Sequence, residues 1–169
     1  MKPITFIPAS LYFDASMYAK ASSHLLRDAF EHDPTVIPHT FDEMLQKFSS
    51  SVIALLDNVV VWQASIYPTS IPEFLWSQEI GSVVVRSQNF GNSIGHMLVR
   101  WLIHHYGNTS QSIISATVNP RMYPIFEKNG FEQIPFPPLY LEEGKQYLAP
   151  KMVWGETEFL ERARCYYRD

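Results

Sequence analysis

The sequence predicts one mixed α/β domain, and three observations predict it. The chain has 169 residues, the size of a single domain. It is 46% hydrophobic and 14% aromatic, enough for a sizeable core and too apolar for a disordered chain. Strand-like and helix-like segments follow one another in the order β-α-α-β-β-β-α-β-α-β-β, with one further helix at the end. No internal repeat, low-complexity tract or linker divides them.

Each element has a local reason. Ile4 to Ala9 reads as a first strand. Asp14 is a capping residue, and a helix follows to about Glu31 with Met17, Ala21, Leu25 and Ala29 as its inner stripe. Thr40 and Glu43 have the spacing of a capping box and open a short helix whose Phe41, Met44, Leu45 and Phe48 face inward. Ser51 to Pro68 reads as a hairpin turning near Asp57-Asn58. Thr69 to Gln78 is a loop, and Glu79 to Arg86 is a strand.

A helix then runs from about Ser93 to Tyr106, with Ile94, Met97, Leu98, Trp101 and Leu102 on one face. Ser112 to Val118 is a strand. Asn119 and Pro120 start a short helix that Asn129-Gly130 ends as a left-handed cap. Phe131 to Ile134 is a short strand, Pro135 to Lys145 a proline-rich loop, and Tyr147 to Trp154 a strand that closes the sheet. Glu156 to Tyr167 reads as a terminal helix.

Composition narrows the function. No apolar run reaches the roughly 18 residues of a membrane span. Met1 to Ser10 lacks the basic-then-apolar order of a signal peptide. A single cysteine, Cys165, removes a disulfide framework and a cysteine zinc site. A reducing, cytoplasmic setting is the expectation. Net charge is -4, which argues against general nucleic-acid binding. No acid lies between Glu79 and Glu127, whereas Arg86, His96, Arg100, His104, His105 and Arg121 do. An anionic ligand fits there without like-charge repulsion. His104 and His105 are adjacent, so they diverge on a helix, and the histidines form no metal pattern. Cys165 has no evident base partner, which argues against an acyl-cysteine route.

Two stretches resemble the signatures of one family. Ser82 to Trp101 is a strand, a turn with Gly91 and Gly95, and a helix. Asn119 to Phe131, "NPRMYPIFEKNGF", follows a strand and supplies an asparagine, an aromatic and Gly-Phe. With the element order from Ile4 to Trp154, the chain resembles the GNAT superfamily of N-acetyltransferases. The resemblance implies a single GNAT-like domain over 1–154, a mixed, mostly antiparallel sheet flanked by helices, and a C-terminal helical extension over 155–169.

It also implies acetyl-CoA as co-substrate, with no metal. In the family the turn cradles the pyrophosphate, and here it is Phe90, Gly91, Asn92, Ser93, Ile94 and Gly95. Phe90 replaces the usual Arg or Gln, and Ser93 a glycine. Free amides at a helix start and the helix dipole favour an anion. Gly91 lets the backbone approach, and Gly95 removes a Cβ where a ligand or strand must pass. His96, beside the turn, is a phosphate contact or a surface histidine. The strand before the turn offers the amides of Val83, Val84 and Val85 to the pantetheine and thioester. Asn119 resembles the residue that bonds the pantetheine arm, and it is also a helix cap.

For chemistry, the resemblance makes Glu79 the general base, the alternative being a strand-end glutamate. The family's tyrosine acid is replaced by Phe126, placed among the cofactor contacts. Tyr123, three residues earlier on the same helix, is the substitute acid or a packing residue. The acids Asp28, Glu31, Asp33, Asp42, Glu43, Glu73, Glu142 and Glu143 form a rim that favours a cationic acceptor. Phe74, Trp76, Phe136 and Tyr140 line an apolar pocket or pack the loops. The reading is acetyl transfer from acetyl-CoA to a primary amine, on a small molecule or on a protein lysine or N-terminus. A homodimer is a candidate assembly, with no nucleic acid and no membrane as partners. The second reading is a GNAT-like module that binds acyl-CoA with weak or no catalysis, and a third is an interaction protein without the ligand.

Overall fold

A computed structural model describes residues 4–69, 74, 76–85, 94–107, 111–137 and 161–169. Its strands are β1 (Thr5–Pro8), β2 (Ser51–Leu56), β3 (Val59–Pro68), β4 (Gln78–Val85), β5 (Ile113–Thr117), β6 (Glu132–Ile134) and β7 (Arg164–Arg168). Its helices are α1 (Ala15–His32), α2 (Phe41–Lys47), α3 (Ile94–Tyr106) and α4 (Tyr123–Lys128). The strands form one sheet in the order β1-β2-β3-β4-β5-β7-β6. Every neighbouring pair is antiparallel except β4 with β5. Helices α1 and α2 cover one face, where Tyr18, Leu25, Leu26 and Met44 pack on Ile53 and Val84. Helices α3 and α4 cover the other, where Leu98, Leu102 and Phe126 pack on Trp62, Ile80 and Tyr166.

Local chemistry sets several boundaries. The Asp14 carboxylate accepts a hydrogen bond from the Met17 amide at 2.8 Å and caps α1. Thr40 and Glu43 exchange both bonds of a capping box ahead of α2. Asp57 and Asn58 take φ of 53° and 62°, the consecutive left-handed pair of a type I′ hairpin turn. Gly130 at φ 80° ends α4, with Gly130 N–H bonded to the Glu127 carbonyl and Phe131 N–H to the Phe126 carbonyl. That is a Schellman cap.

Four expectations are corrected. The inner stripe of α1 is rotated: Tyr18, Ala19, Ser22, Leu25, Leu26 and Ala29 are buried, while Met17 is 58% exposed. Tyr18 takes the inner seat because its hydroxyl reaches Ser51 at 2.7 Å. In α2 only Met44 is buried, and Phe41 and Leu45 face out, since two turns present one narrow inner face. In α3, Gly95 and Val99 join Ile94, Leu98 and Leu102 inside, while Met97 is exposed and Trp101 half-buried against the ring of His105. The fourth concerns the expected terminal helix. Glu161 and Arg162 are helical, but Arg164–Arg168 is a strand inserted between β5 and β6. Cys165 packs against Ile114 on one face of the sheet and Tyr166 against Phe126 on the other. A strand buried on both faces shows no alternation of polar and apolar residues. The strand expected over Tyr147 to Trp154 lies outside the described residues.

Replacing Gly130 with alanine puts a Cβ into the left-handed region, at a cost of about 1–2 kcal/mol. Gly130→Asn costs less, because asparagine tolerates that region. Urea denaturation of both variants checks the order; equal loss in both would contradict it.

Candidate active site

The parallel pair ends early. Strands β4 and β5 are in register at Gln78↔Ile113 and Glu79↔Ile114 only. Beyond that the Ser115 hydroxyl donates to the Ile80 carbonyl at 2.8 Å, and the strands part. β4 stays with β3 as far as Trp62↔Val85, and β5 stays with β7 as far as Thr117↔Arg164. A bulge accompanies the divergence: β3 and β4 slip by one residue between Gln63↔Val84 and Ser65↔Gly81, and Ser82 sits at φ 55°. Past Ile80, the edge of β4 facing away from β3 therefore has no strand partner among the described residues.

Two connected cavities occupy the opening. One, of about 90 Å3, is lined by Ile80 to Val83, Ser115 to Asn119, the segment from Thr35 to His39, and Phe126. The next, of about 280 Å3, is lined by Val83, Val84, Val85, Ile94, Gly95, Asn119 and Arg121. Val36, Val83, Asn119 and Met122 line both. Arg121 donates to the Asp33 carboxylate at 3.1 Å, tying the end of α1 to the turn before α4.

The expected site residues fall as follows. Val83, Val84 and Val85 lie on the part of β4 past its last pairing with β5, and all three line the larger cavity. Asn119 lies between the cavities; its side-chain oxygen accepts from the Arg121 amide at 3.0 Å, so it also shapes the turn before α4. Ile94 and Gly95 begin α3 beside the larger cavity. A Cβ on Gly95 would come within 2.8 Å of Ile125, so the protein neighbour that needs a glycine there is α4 and not a strand. Phe126 is buried in the floor against Phe131 and Tyr166. Phe90, Gly91, Asn92 and Ser93 lie outside the described residues.

Other expected residues sit elsewhere. Tyr123 does not line either cavity. Its hydroxyl donates to the Arg162 carbonyl at 2.6 Å, and burial raises its pKa. His96 bonds Asn129 at 3.0 Å on another face of α3. Glu79 is at the vertex where the strands part, on the α1–α2 face, and accepts a hydrogen bond from Tyr67. Burial first, and the Glu79 charge second, push the Tyr67 hydroxyl well above its usual range. Glu79 itself lines neither cavity, but Gly81 does, and a Cβ there would lie 2.5 Å from the Tyr67 hydroxyl. Glycine is what lets that hydroxyl sit against the wall of the opening.

Sequence reasoning missed Tyr67, Lys47, Ser82 and His39. Lys47 donates to the Ser82 hydroxyl at 2.9 Å and lies 4.6 Å above the Tyr67 ring. His39 lines the smaller cavity, its Nδ1 3.7 Å from the Glu43 carboxylate. These residues come from separate segments, and no local spacing announces their convergence. Among the described residues, no cluster of His, Cys, Asp or Glu suits a metal ion.

No protein-family model matches the sequence, and no curated protein matches it. Solved structures do match. Diaminobutyrate acetyltransferase EctA from Paenibacillus lautus, solved with L-2,4-diaminobutyric acid and coenzyme A, superposes at TM-score 0.71 and 10% identity over 99% of this chain and 95% of that one. A GNAT-family acetyltransferase from Streptococcus pneumoniae gives 0.64 and 14%, over 98% of each.

This chain has the GNAT acetyltransferase fold.

N-acetylglutamate synthase from Neisseria gonorrhoeae, solved with coenzyme A and N-acetyl-glutamate, also matches, at 0.66 and 16%. The chain covers 35% of that protein, about a third of its length. In the GNAT fold of this chain, the gap between β4 and β5 is the opening described above. No helix among the described residues is long and apolar enough to cross a membrane.

Cys165 is buried, and burial, with the nearby Glu79 charge, pushes its thiol up to about 12. Unfolded, it ionises near 9.0. The raised value stabilises the fold fully below pH 9.0 and ceases to do so as pH rises towards 12. Iodoacetamide at pH 8 should leave the native thiol unlabelled and label it after unfolding. Cys165→Ala should flatten the loss of stability between pH 9.0 and 12. Rapid native labelling would contradict this account.

Proposed function

We propose that the protein transfers an acetyl group from acetyl-CoA to a primary amine by direct attack. The observation that carries the proposal is the unpaired edge of β4, which leads from the smaller cavity to the start of α3. Backbone N–H groups there suit the amides of a pantetheine arm and the developing charge on a thioester oxygen. The coenzyme A in the diaminobutyrate acetyltransferase and N-acetylglutamate synthase structures supports the same ligand here. Asn119 holds the arm, and Ile94 and Gly95, with Phe90 to Ser93 before them, receive the pyrophosphate at the start of α3.

The attacking amine must lose a proton. Glu79 takes it, through the Tyr67 hydroxyl that Gly81 admits to the wall of the opening. The carboxylate is already the acceptor in that hydrogen bond. The amine nitrogen bonds the acetyl carbon, the carbon–sulfur bond breaks, and coenzyme A leaves as the thiolate, which takes up a proton from water or from Tyr123. Tyr123 serves as the acid only once its bond to the Arg162 carbonyl opens.

One observation favours a second reading, binding without turnover: Phe126 brings a bare phenyl to the floor where the family has a hydroxyl. Thiol release from acetyl-CoA over a panel of amines separates the two. Turnover is the expected result. Glu79→Gln should lower kcat by about 10²–10⁴-fold with little change in acetyl-CoA affinity. Tyr123→Phe should cost less than about tenfold. Binding with no thiol release on any amine would establish the second reading, and no binding would sink both.

A further inference from the structure

The smaller cavity of the opening, of about 90 Å3, is poor in acids and rich in hydrogen-bond donors. None of its described lining residues is acidic, and His39 is the one titratable side chain among them. The acids expected to rim an acceptor stand elsewhere or are already occupied. Asp28, Glu31 and Asp42 line neither cavity. Asp33 lines the larger one only, and its carboxylate accepts from the Thr35 amide, the Thr35 hydroxyl and the Arg121 guanidinium. Glu43 also lines neither, and it accepts the Thr40 amide of the capping box at 2.7 Å. Glu73, Glu142 and Glu143 lie outside the described residues.

Each hydroxyl on these walls has one proton to give. Thr35 gives its proton to Asp33, and Ser115 gives its own to the Ile80 carbonyl. Ser82 and Thr117 are acceptors instead: Lys47 Nζ donates to Ser82 at 2.9 Å, and the Asn119 amide to Thr117 at 3.1 Å. Neither gives its proton to a described residue, so both are left to donate into the cavity. The Lys47 ammonium polarises the Ser82 hydroxyl further. His39 Nδ1 is buried, 3.7 Å from the Glu43 carboxylate, while 16% of the side chain stays accessible. The ring therefore meets the cavity by its other edge, the one that carries Nε2.

Two hydroxyl donors and an imidazole, converging on a small chamber without an acid, are the chemistry that holds a carboxylate. The remaining walls, Leu26, Val36, Ile80 and Phe126 among them, are apolar and suit a second cationic centre poorly. We propose that the smaller cavity seats a small amine that also carries a carboxylate, an amino acid, with His39 against the carboxylate and Ser82 and Thr117 completing its bonds. The amine then faces the wall at Gly81, where the Tyr67 hydroxyl sits. The proposal rests on the acetyl-transfer reading only in making that amino acid the acceptor; the carboxylate site stands on its own residues.

Calorimetric titration of the full chain with coenzyme A bound tests the site, using the standard amino acids, their carboxamides and spermidine. At least one amino acid should bind about tenfold or more tightly than its own carboxamide, which keeps the amine and loses the negative charge. Spermidine should bind more weakly still. His39→Gln should cost that amino acid about tenfold and leave its carboxamide within about twofold. Thr117→Val should cost the amino acid about threefold or more. Unchanged coenzyme A affinity in both variants reports that they fold. His24→Gln, on the exposed side of α1, should change neither ligand. Carboxamides or spermidine binding as well as the amino acids, no saturable amino-acid binding, or equal loss in His24→Gln and His39→Gln would overturn the proposal. Thiol release from acetyl-CoA is read alongside. Amino-acid binding without release upholds the carboxylate site and removes acetyl transfer, whereas release on spermidine or the carboxamides but on no amino acid does the reverse.

Discussion

The structure turns on a pairing that stops. Strands β4 and β5 share two register positions, and the Ser115 hydroxyl then takes the Ile80 carbonyl that a continuing ladder would have used. Buried backbone groups need partners. Those of β4 beyond Ile80 find them on one side only, in β3. The other side is left open, at the centre of the sheet, and both cavities of the opening follow from it.

Much of the surrounding structure holds that gap in place. The single Ser51 hydroxyl proton goes to the Lys47 carbonyl at 2.6 Å, so Tyr18 and Ser65 must be the donors in their bonds to Ser51. This buried set joins α1, the end of α2, β2 and β3. Lys47 carries it to the bulge in β4 through the Ser82 hydroxyl. The left-handed φ of Ser82 thus comes with a side-chain bond to Lys47 at the end of α2, the kind of outside contact under which a strained conformation persists. On the far side, β7 braces β5 along its whole length, from Ile113↔Arg168 to Thr117↔Arg164. One strand is held by β3 and the other by β7, so neither closes on the other.

The sequence was most legible where the physics is local. Asp14, the Thr40–Glu43 box, the Asp57–Asn58 turn and Gly130 each act within a few residues, and each stands where its chemistry suggested. Glu79 and Asn119 were legible as positions at the ends of a strand and a turn. Three kinds of feature were not. β7 is covered on both faces, so its residues lack the alternation that marks a strand. The bulge at Ser82 is a slip between two strands and belongs to neither alone. Tyr67, Lys47 and His39 reach the site from segments that only the tertiary fold brings together. The run free of acids between Glu79 and Glu127 was visible, but the opening it borders at one end of α3 was not.

The central claim is that the free edge of β4 grips a thioester ligand through its backbone. Side-chain substitution cannot test this, because any residue carries the same amide. Amide chemical shifts can. In a 15N-labelled sample titrated with acetyl-CoA, the amides of Val83 to Val85 should shift strongly and gain protection from hydrogen exchange, while those of β1 and β2 stay still. Saturation of the protein with acetyl-CoA while Val83 to Val85 remain unmoved would contradict the account.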